Sequence, residues 1–164
     1  GMKELGQRYP WIDLERAGIW GHSGGGFATA AAMFRYPEFF KVGIAEAGNH
    51  DNRNYEDDWG EKWQGLLDGS NYDNQANQLV AKNLRGKLLL AHGTTDSNVP
   101  PDNTMLVVDE LIKAGKDFDL LLLPNRGHSF ANEPYMIRRR WDYFVRYLMG
   151  AEPPKEFQLN PPKN

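Results

Sequence analysis

Short, uninterrupted apolar runs alternate along this chain with segments of helical spacing. RAGIWG (16–21) is followed at once by glycines, as a buried strand would be, and GGFATAAAMFRYP (25–37) then carries an alanine-rich helical pattern that Pro37 stops. KVGIAEAG (41–48) reads as a second strand. Residues 49–72 are aromatic, acidic and asparagine-rich without a clear period, which predicts a loop with short helices. NQANQLVAKN (74–83) reads as a helix, and GKLLLAHGTTD (86–96) as a buried strand ending in a turn. DNTMLVVDELIKAGK (102–116) is a helix closing on Gly115, FDLLLLPNRGHSF (118–130) a strand running into a loop, and PYMIRRRWDYFVRYLMG (134–150) a final amphipathic helix. The strands are apolar throughout instead of alternating. That pattern, with helices between strands, predicts an α/β domain whose mostly parallel sheet is covered on both faces.

At 164 residues, 40% hydrophobic and 12% aromatic, the chain has material for one sizeable core, and no internal repeat marks a second domain. The expected division is one α/β domain over 1–150 and a Pro-rich tail over 151–164. The formal charge is 19 − 22 = −3, and basic residues cluster only at Arg138-Arg139-Arg140, too short a run for a nucleic-acid surface. Nucleic acid is therefore not an expected partner. There is no cysteine, hence neither a disulfide framework nor a thiolate metal site, and redox compartment is not legible. No apolar run approaches the ~18 residues of a membrane span, so no membrane contact is expected of this segment. The chain opens in what reads as the middle of an amphipathic helix, from which we expect it to begin partway through a larger protein.

The chemistry lies in GHSGG (21–25), which fits G-x-S-x-G. In that pattern a serine sits on a sharp turn between strand and helix, with its hydroxyl exposed and helix N–H groups aimed at a developing oxyanion. Both flanking elements are predicted here. A side chain at Gly21 or Gly25 is expected to crowd the turn. A serine nucleophile needs a base to take its proton and an acid to orient that base, in the order Ser, Asp or Glu, His. Asp96 follows the third strand and His128 the fourth, both at C-terminal ends of parallel strands, where open α/β sheets build their sites. Asp102 better suits a helix start near Pro100-Pro101, and Asp119 lies inside a strand. His22 sits in the elbow and His50 in the irregular loop, while His92, at a strand end, suits a structural hydrogen bond. The histidines lack metal-ligand spacing and the only dense glycine run is the elbow, so neither metal nor cofactor is expected.

GHSGGGF, AHGTTDSNV and LLLLPNRGHSF resemble the three catalytic blocks of the prolyl oligopeptidase family of serine peptidases, its dipeptidyl peptidase IV branch above all, over nearly the whole chain to about Leu148. The most specific parts are H-G-T-x-D-x-N-V at 92–99 and the 32-residue step from Asp96 to His128. The resemblance implies the C-terminal half of an α/β-hydrolase fold, namely the nucleophile strand and the three parallel strands after it. It implies Ser23 as nucleophile, His128 as base and then acid, Asp96 as its partner, and the Gly24 N–H as one oxyanion donor. The substrate implied is a short peptide, bound by Tyr55 and Trp59 in the loop after the second strand and by Asn98 and Val99 after the triad acid. Ordinary packing of an aromatic loop is an equally good account of Tyr55 and Trp59. A periplasmic or other extracytoplasmic location is implied, with the cytoplasm left open.

Two letters depart from the family. Gly24 stands where a tyrosine is usual and His22 where a tryptophan is usual, and with Asn49 and Asn52 nearby the pocket is expected to be wider and more polar, which puts proline preference in doubt. Two other readings stay open: an esterase or other acyl hydrolase using the same triad, and a non-catalytic fragment or assembly module that self-associates through an open sheet edge.

Overall fold

In the computed structural model, which describes residues 1–159, four strands form one parallel sheet in sequential order. They are β1 (Ala17–His22), β2 (Phe40–Glu46), β3 (Lys87–Gly93) and β4 (Asp119–Leu123). Parallel neighbours need crossovers. α2 (Gly24–Arg35) connects β1 to β2, and α4 (Asp102–Lys113) connects β3 to β4. α1 (Met2–Arg8) precedes the sheet, α3 (Asp57–Gln64) lies in the long β2–β3 connection, and α5 (Pro134–Tyr147) follows β4.

The period-2 geometry of a strand sorts its side chains onto two cores. On one face Ala45, Leu88 and Leu90 pack with Ala30, Met33 and Phe34 of α2 and with Val107 and Leu111 of α4. On the other, Val42, Ile44, Leu89, Ala91 and Leu123 pack with Met136 and Tyr143 of α5. Both central strands are thus buried on both sides, which is why they read as unbroken apolar runs. Gly43 makes this possible on β2: a Cβ there would lie 2.5 Å from Met33 Cγ.

Two expectations change. The stretch 74–83, read as a helix throughout, is helical only over Asn77–Asn83, and there as a 3-10 helix. Its first residue is tied to other segments, Asn77 N donating to His50 O at 2.9 Å and Asn77 Nδ2 to Phe27 O at 3.0 Å. The edge strands are also less buried than apolar runs suggest. Leu120 and Leu122 of β4 are 39% and 42% exposed, and Trp20 of β1 is 50% exposed. The outer edge of β1 has no strand partner among the described residues.

No helix among the described residues is long and apolar enough to cross a membrane. Residues 151–159 follow α5 without helix or strand, and the remainder of the Pro-rich tail, 160–164, lies outside the described residues.

Candidate active site

β1 ends at His22 and α2 begins at Gly24, leaving Ser23 alone to turn the chain. Its backbone takes φ 59° and ψ −121°, a sterically costly region for a residue with a Cβ, and such strain concentrates where a side chain must be aimed. Two contacts hold it there: Ser23 N donates to Glu46 O at the end of β2, 2.8 Å, and Phe27 N donates to Ser23 O, 3.0 Å. The glycines that the turn requires are Gly21 and Gly26. A Cβ at Gly21 would lie 2.4 Å from Gly25 O, and one at Gly26 2.3 Å from Glu46 O. Gly25, expected to be crowded along with Gly21, has nothing within 4 Å of an added Cβ. It is the third glycine of the run that passes against β2.

Asp96 and His128 come together from neighbouring strand ends. His128 Nδ1 donates to Asp96 Oδ2 at 2.7 Å, and the aspartate side chain is fully buried. Its other oxygen accepts from Asn98 N at 3.0 Å and Val99 N at 2.9 Å. A buried carboxylate with three donors is a fixed acceptor, and it sets the tautomer of His128: with the proton on Nδ1, Nε2 is left to accept. His92 buttresses the turn. Its Nε2 faces the carbonyl of Val99 at 2.9 Å and so carries the proton, while Nδ1 accepts from the Thr104 hydroxyl at 2.7 Å. Burial, foremost, holds the His92 imidazole below its ordinary range. Of the rival carboxylates, Asp119 accepts from Tyr143 Oη at 2.8 Å at the start of β4, the end away from His128, and Asp102 opens α4.

Ser23 Oγ has no hydrogen bond to His128 among the described residues. The two blocks meet through His22, whose ring centroid lies 4.8 Å from that of His128 and 5.3 Å, edge-on, from Phe130.

Beside Gly24 is a cavity of about 570 Å³. Phe27, Trp59 and Trp63 supply apolar walls, and Asn49, Asn52, Gln64 and Asn71 supply carboxamides. The amides are chained: Asn49 Nδ2 donates to Asn52 Oδ1 at 2.7 Å, Asn52 Nδ2 to Gln64 Oε1, and Asn71 Nδ2 to Gln64 O at 3.1 Å. An added Cβ at Gly24 would touch Trp59 at 4.0 Å, so a side chain at 24 would project into this space. Tyr55 and Trp59 are brought together with Asn98: the two rings meet edge to face at 6.2 Å, and Tyr55 Oη donates to Asn98 Oδ1 at 2.8 Å. Burial, with Glu56 and Asp96 nearby, pushes the Tyr55 phenol up, so it stays protonated as that donor. Val99 departs from expectation. It is fully buried, gives its amide to Asp96 and its carbonyl to His92, and does not line the cavity.

Sequence reasoning missed Gln64, Trp63 and Asn71, because a stretch with no period gives no face to assign them to. It also missed Glu46 and Arg140, which form a buried ion pair beneath the site. Nothing separates Arg140 from Arg138 and Arg139 in the sequence.

No group of three or more His, Cys, Asp or Glu side chains is placed to hold a metal ion among the described residues.

The chain is similar in sequence and fold to known peptidases. The chain is 31% identical over 137 residues to dipeptidyl peptidase family member 1 of Caenorhabditis elegans, covering 82% of this chain and 17% of that protein. The crystal structure of Porphyromonas gingivalis dipeptidyl peptidase 4 superposes with a TM-score of 0.80 at 32% identity, covering 92% of this chain and 21% of that one. Uncomplexed Pyrococcus horikoshii acylaminoacyl peptidase superposes with a TM-score of 0.79 at 26% identity, covering 96% and 28%. The parallel sheet with helices on both faces is the C-terminal half of an α/β-hydrolase fold. The chain thus spans about a fifth to a quarter of the solved structures and less of the curated relative. The profile of the prolyl oligopeptidase family matches residues 1–151, nearly the whole chain, and on that match the chain belongs to the prolyl oligopeptidase family.

Proposed function

We propose that this chain carries the catalytic triad of a serine peptidase of the dipeptidyl or oligopeptidase type, which cleaves short peptides through an acyl-enzyme on Ser23. The observation that carries the reading is the 2.7 Å bond between His128 Nδ1 and buried Asp96, at the same C-terminal edge of the sheet as a strained serine at a helix N-terminus. In this reading His128 Nε2 takes the hydroxyl proton as Ser23 Oγ attacks the scissile carbonyl carbon. The oxyanion of the tetrahedral intermediate accepts from the Gly24 N–H, and the protonated His128 then hands its proton to the departing amine as the C–N bond breaks. Water attacks the acyl-enzyme with His128 again as base, which releases the acid and returns the proton to Ser23. Asp96 stabilises the imidazolium formed in both halves.

The cavity beside Gly24 is the place for the acyl-side residue. Its carboxamides favour a polar, uncharged side chain over proline, because an apolar ring would displace water from amides without replacing their hydrogen bonds. Trp59 forms part of its wall, and Tyr55, bonded to Asn98, backs Trp59 from outside the cavity. Names of relatives support peptidase activity, with dipeptidyl and acylaminoacyl peptidases both among them.

The test compares, in the protein at its full natural length, anilides of dipeptides ending in Pro and in Gln with a short acyl ester, before and after Ser23→Ala. Peptide turnover abolished by the substitution supports the reading. Ester turnover alone would favour an esterase, and peptide turnover surviving Ser23→Ala would remove Ser23 from the mechanism. The outer edge of β1, without a strand partner among the described residues, supports pairing with a further strand or with a second copy, which light scattering on the same protein resolves.

A further inference from the structure

The ion pair beneath the site is built in a way that stability alone does not explain. Glu46, the last residue of β2, is completely buried, and Arg140, midway along α5, is 7% exposed. They meet fork to fork: Arg140 Nε donates to Glu46 Oε1 at 2.9 Å and Nη2 to Oε2 at 3.1 Å. Taking two charges out of water costs about as much as their attraction returns, so a well-packed apolar pair would serve the fold equally well.

The remaining contacts all lead to the site. Arg140 Nη2 also donates to Ala131 O at 2.9 Å, three residues past His128. The guanidinium carbon lies 3.7 Å from the centroid of the Trp20 ring, on the strand that ends in the elbow. Glu46 holds the elbow directly, its carbonyl accepting Ser23 N at 2.8 Å. His22 fills the space between, with Nδ1 3.7 Å from Glu46 Oε2 and its ring against His128.

We propose that Glu46 and Arg140 are a positioning pair, a clamp that sets the separation of Ser23 from His128 by tying the serine's strand, the adjoining strand end and the histidine loop to one guanidinium. Neither residue touches substrate. The inference rests on the reading of Ser23 and His128 as nucleophile and base. A planar fork with five donors can satisfy a carboxylate and a carbonyl at once, which an ammonium on a flexible stem does not reproduce. Because a misplacement of about 1 Å can cost about 10²-fold in rate, the consequence falls on the chemical step.

The deciding variant is the double substitution Glu46→Leu with Arg140→Met, in the protein at its full natural length. Replacing both partners by apolar side chains leaves no orphan charge. We expect kcat to fall about 10- to 100-fold with KM changed by less than about threefold. Amide exchange over residues 127–133 should accelerate while that of β3 is unchanged. Arg140→Lys, which keeps the charge and loses the fork, should give the same signature in weaker form, and it decides the matter should the double variant fail to fold. A folded variant with kcat within about threefold of wild type overturns the clamp. So does a slowed kcat with exchange at 127–133 unchanged. Should the wild type turn over no peptide, the functional reading fails on its own, and the exchange comparison still decides whether the pair restrains the histidine loop.

Discussion

Asp96 reaches His128 across 32 residues of chain and holds its Nδ1 at 2.7 Å, while its second oxygen closes the turn on Asn98 and Val99. The two oxygens do separate jobs. One keeps the imidazole in the tautomer that leaves Nε2 free, and the other fixes the carboxylate so that it has no rotational freedom to lose. Asp96→Asn keeps the shape and an acceptor for the turn, but its amide offers N–H donors where the ring needs an acceptor. We expect kcat to fall by about 10⁴-fold with little change in KM. Steady-state kinetics checks this, and a loss of less than about tenfold would argue that Asp96 is structural.

The cavity makes a prediction about Gly24. An added Cβ there meets nothing closer than Trp59 at 4.0 Å, and its φ is not positive, so Gly24→Ala should fold at least as stably as wild type. The methyl group nonetheless enters the space beside Ser23. Turnover of substrates with a bulky side chain next to the scissile bond should fall more than that of substrates with Ala there, by about 10-fold for a lost methylene-sized space. Competition between two such anilides gives the ratio directly.

Acid should unfold this chain through His50. The residue is fully buried, and Asn77 Nδ2, which also donates to Phe27 O, donates to His50 Nδ1 at 3.1 Å, so the ring is neutral with its proton on Nε2. Burial first, then the neighbouring His92, pushes its pKa from the ordinary 6.5 down to about 3. The unfolded chain takes up a proton near pH 6.5 and the folded chain does not. Stability is therefore full above about pH 6.5 and is lost as pH falls toward 3, with a slope approaching 1.4 kcal/mol per pH unit from this residue. Urea unfolding at pH 7.5, 6.5, 5.5 and 4.5 measures the slope. His50→Gln, which can still accept from Asn77, should flatten it by up to about 1.4 kcal/mol per pH unit, and an unaltered slope would assign the acid sensitivity elsewhere.

Much of the frame was legible because its physics is local. An apolar run such as KLLLAHG declares a strand buried on both faces, and a serine among glycines between a strand and a helix declares an elbow. Asp96 and His128 followed from strand ends and chain order. What stayed hidden depends on which side chain turns inward. Arg138, Arg139 and Arg140 are identical letters on one helix, yet Arg138 is half-buried and pairs with Asp142 one turn along α5, while Arg140 is buried against Glu46. Their difference is a matter of rotation about α5 relative to a strand 94 residues earlier. The stretch 49–72 hid its cavity for a similar reason: its order comes from amide-to-amide bonds across turns, and hydrophobic periodicity is blind to those. Val99 read as a cleft residue because the motif match names a position and not the direction of its side chain.

The two neighbouring glycines of α2 should respond oppositely to one methyl group. At Gly25 the added carbon meets nothing within 4 Å, so Gly25→Ala removes backbone freedom from the unfolded chain and should stabilise by about 0.5–1 kcal/mol. At Gly26 it would lie 2.3 Å from Glu46 O, with Glu46 C and Gly48 Cα both at 3.1 Å. That oxygen belongs to backbone and is the acceptor for Ser23 N, so relief requires α2 to move off β2 and the elbow to move with it. Gly26→Ala should cost about 1–3 kcal/mol, as overpacking of a tight contact does. Unlike an ordinary core defect it should also lower kcat in the fraction that remains folded. Thermal unfolding of the two variants, with kcat referred to the concentration of sites titrated by a fluorophosphonate, separates the two effects. Equal behaviour of Gly25→Ala and Gly26→Ala would mean that α2 does not transmit its contact with β2 to Ser23.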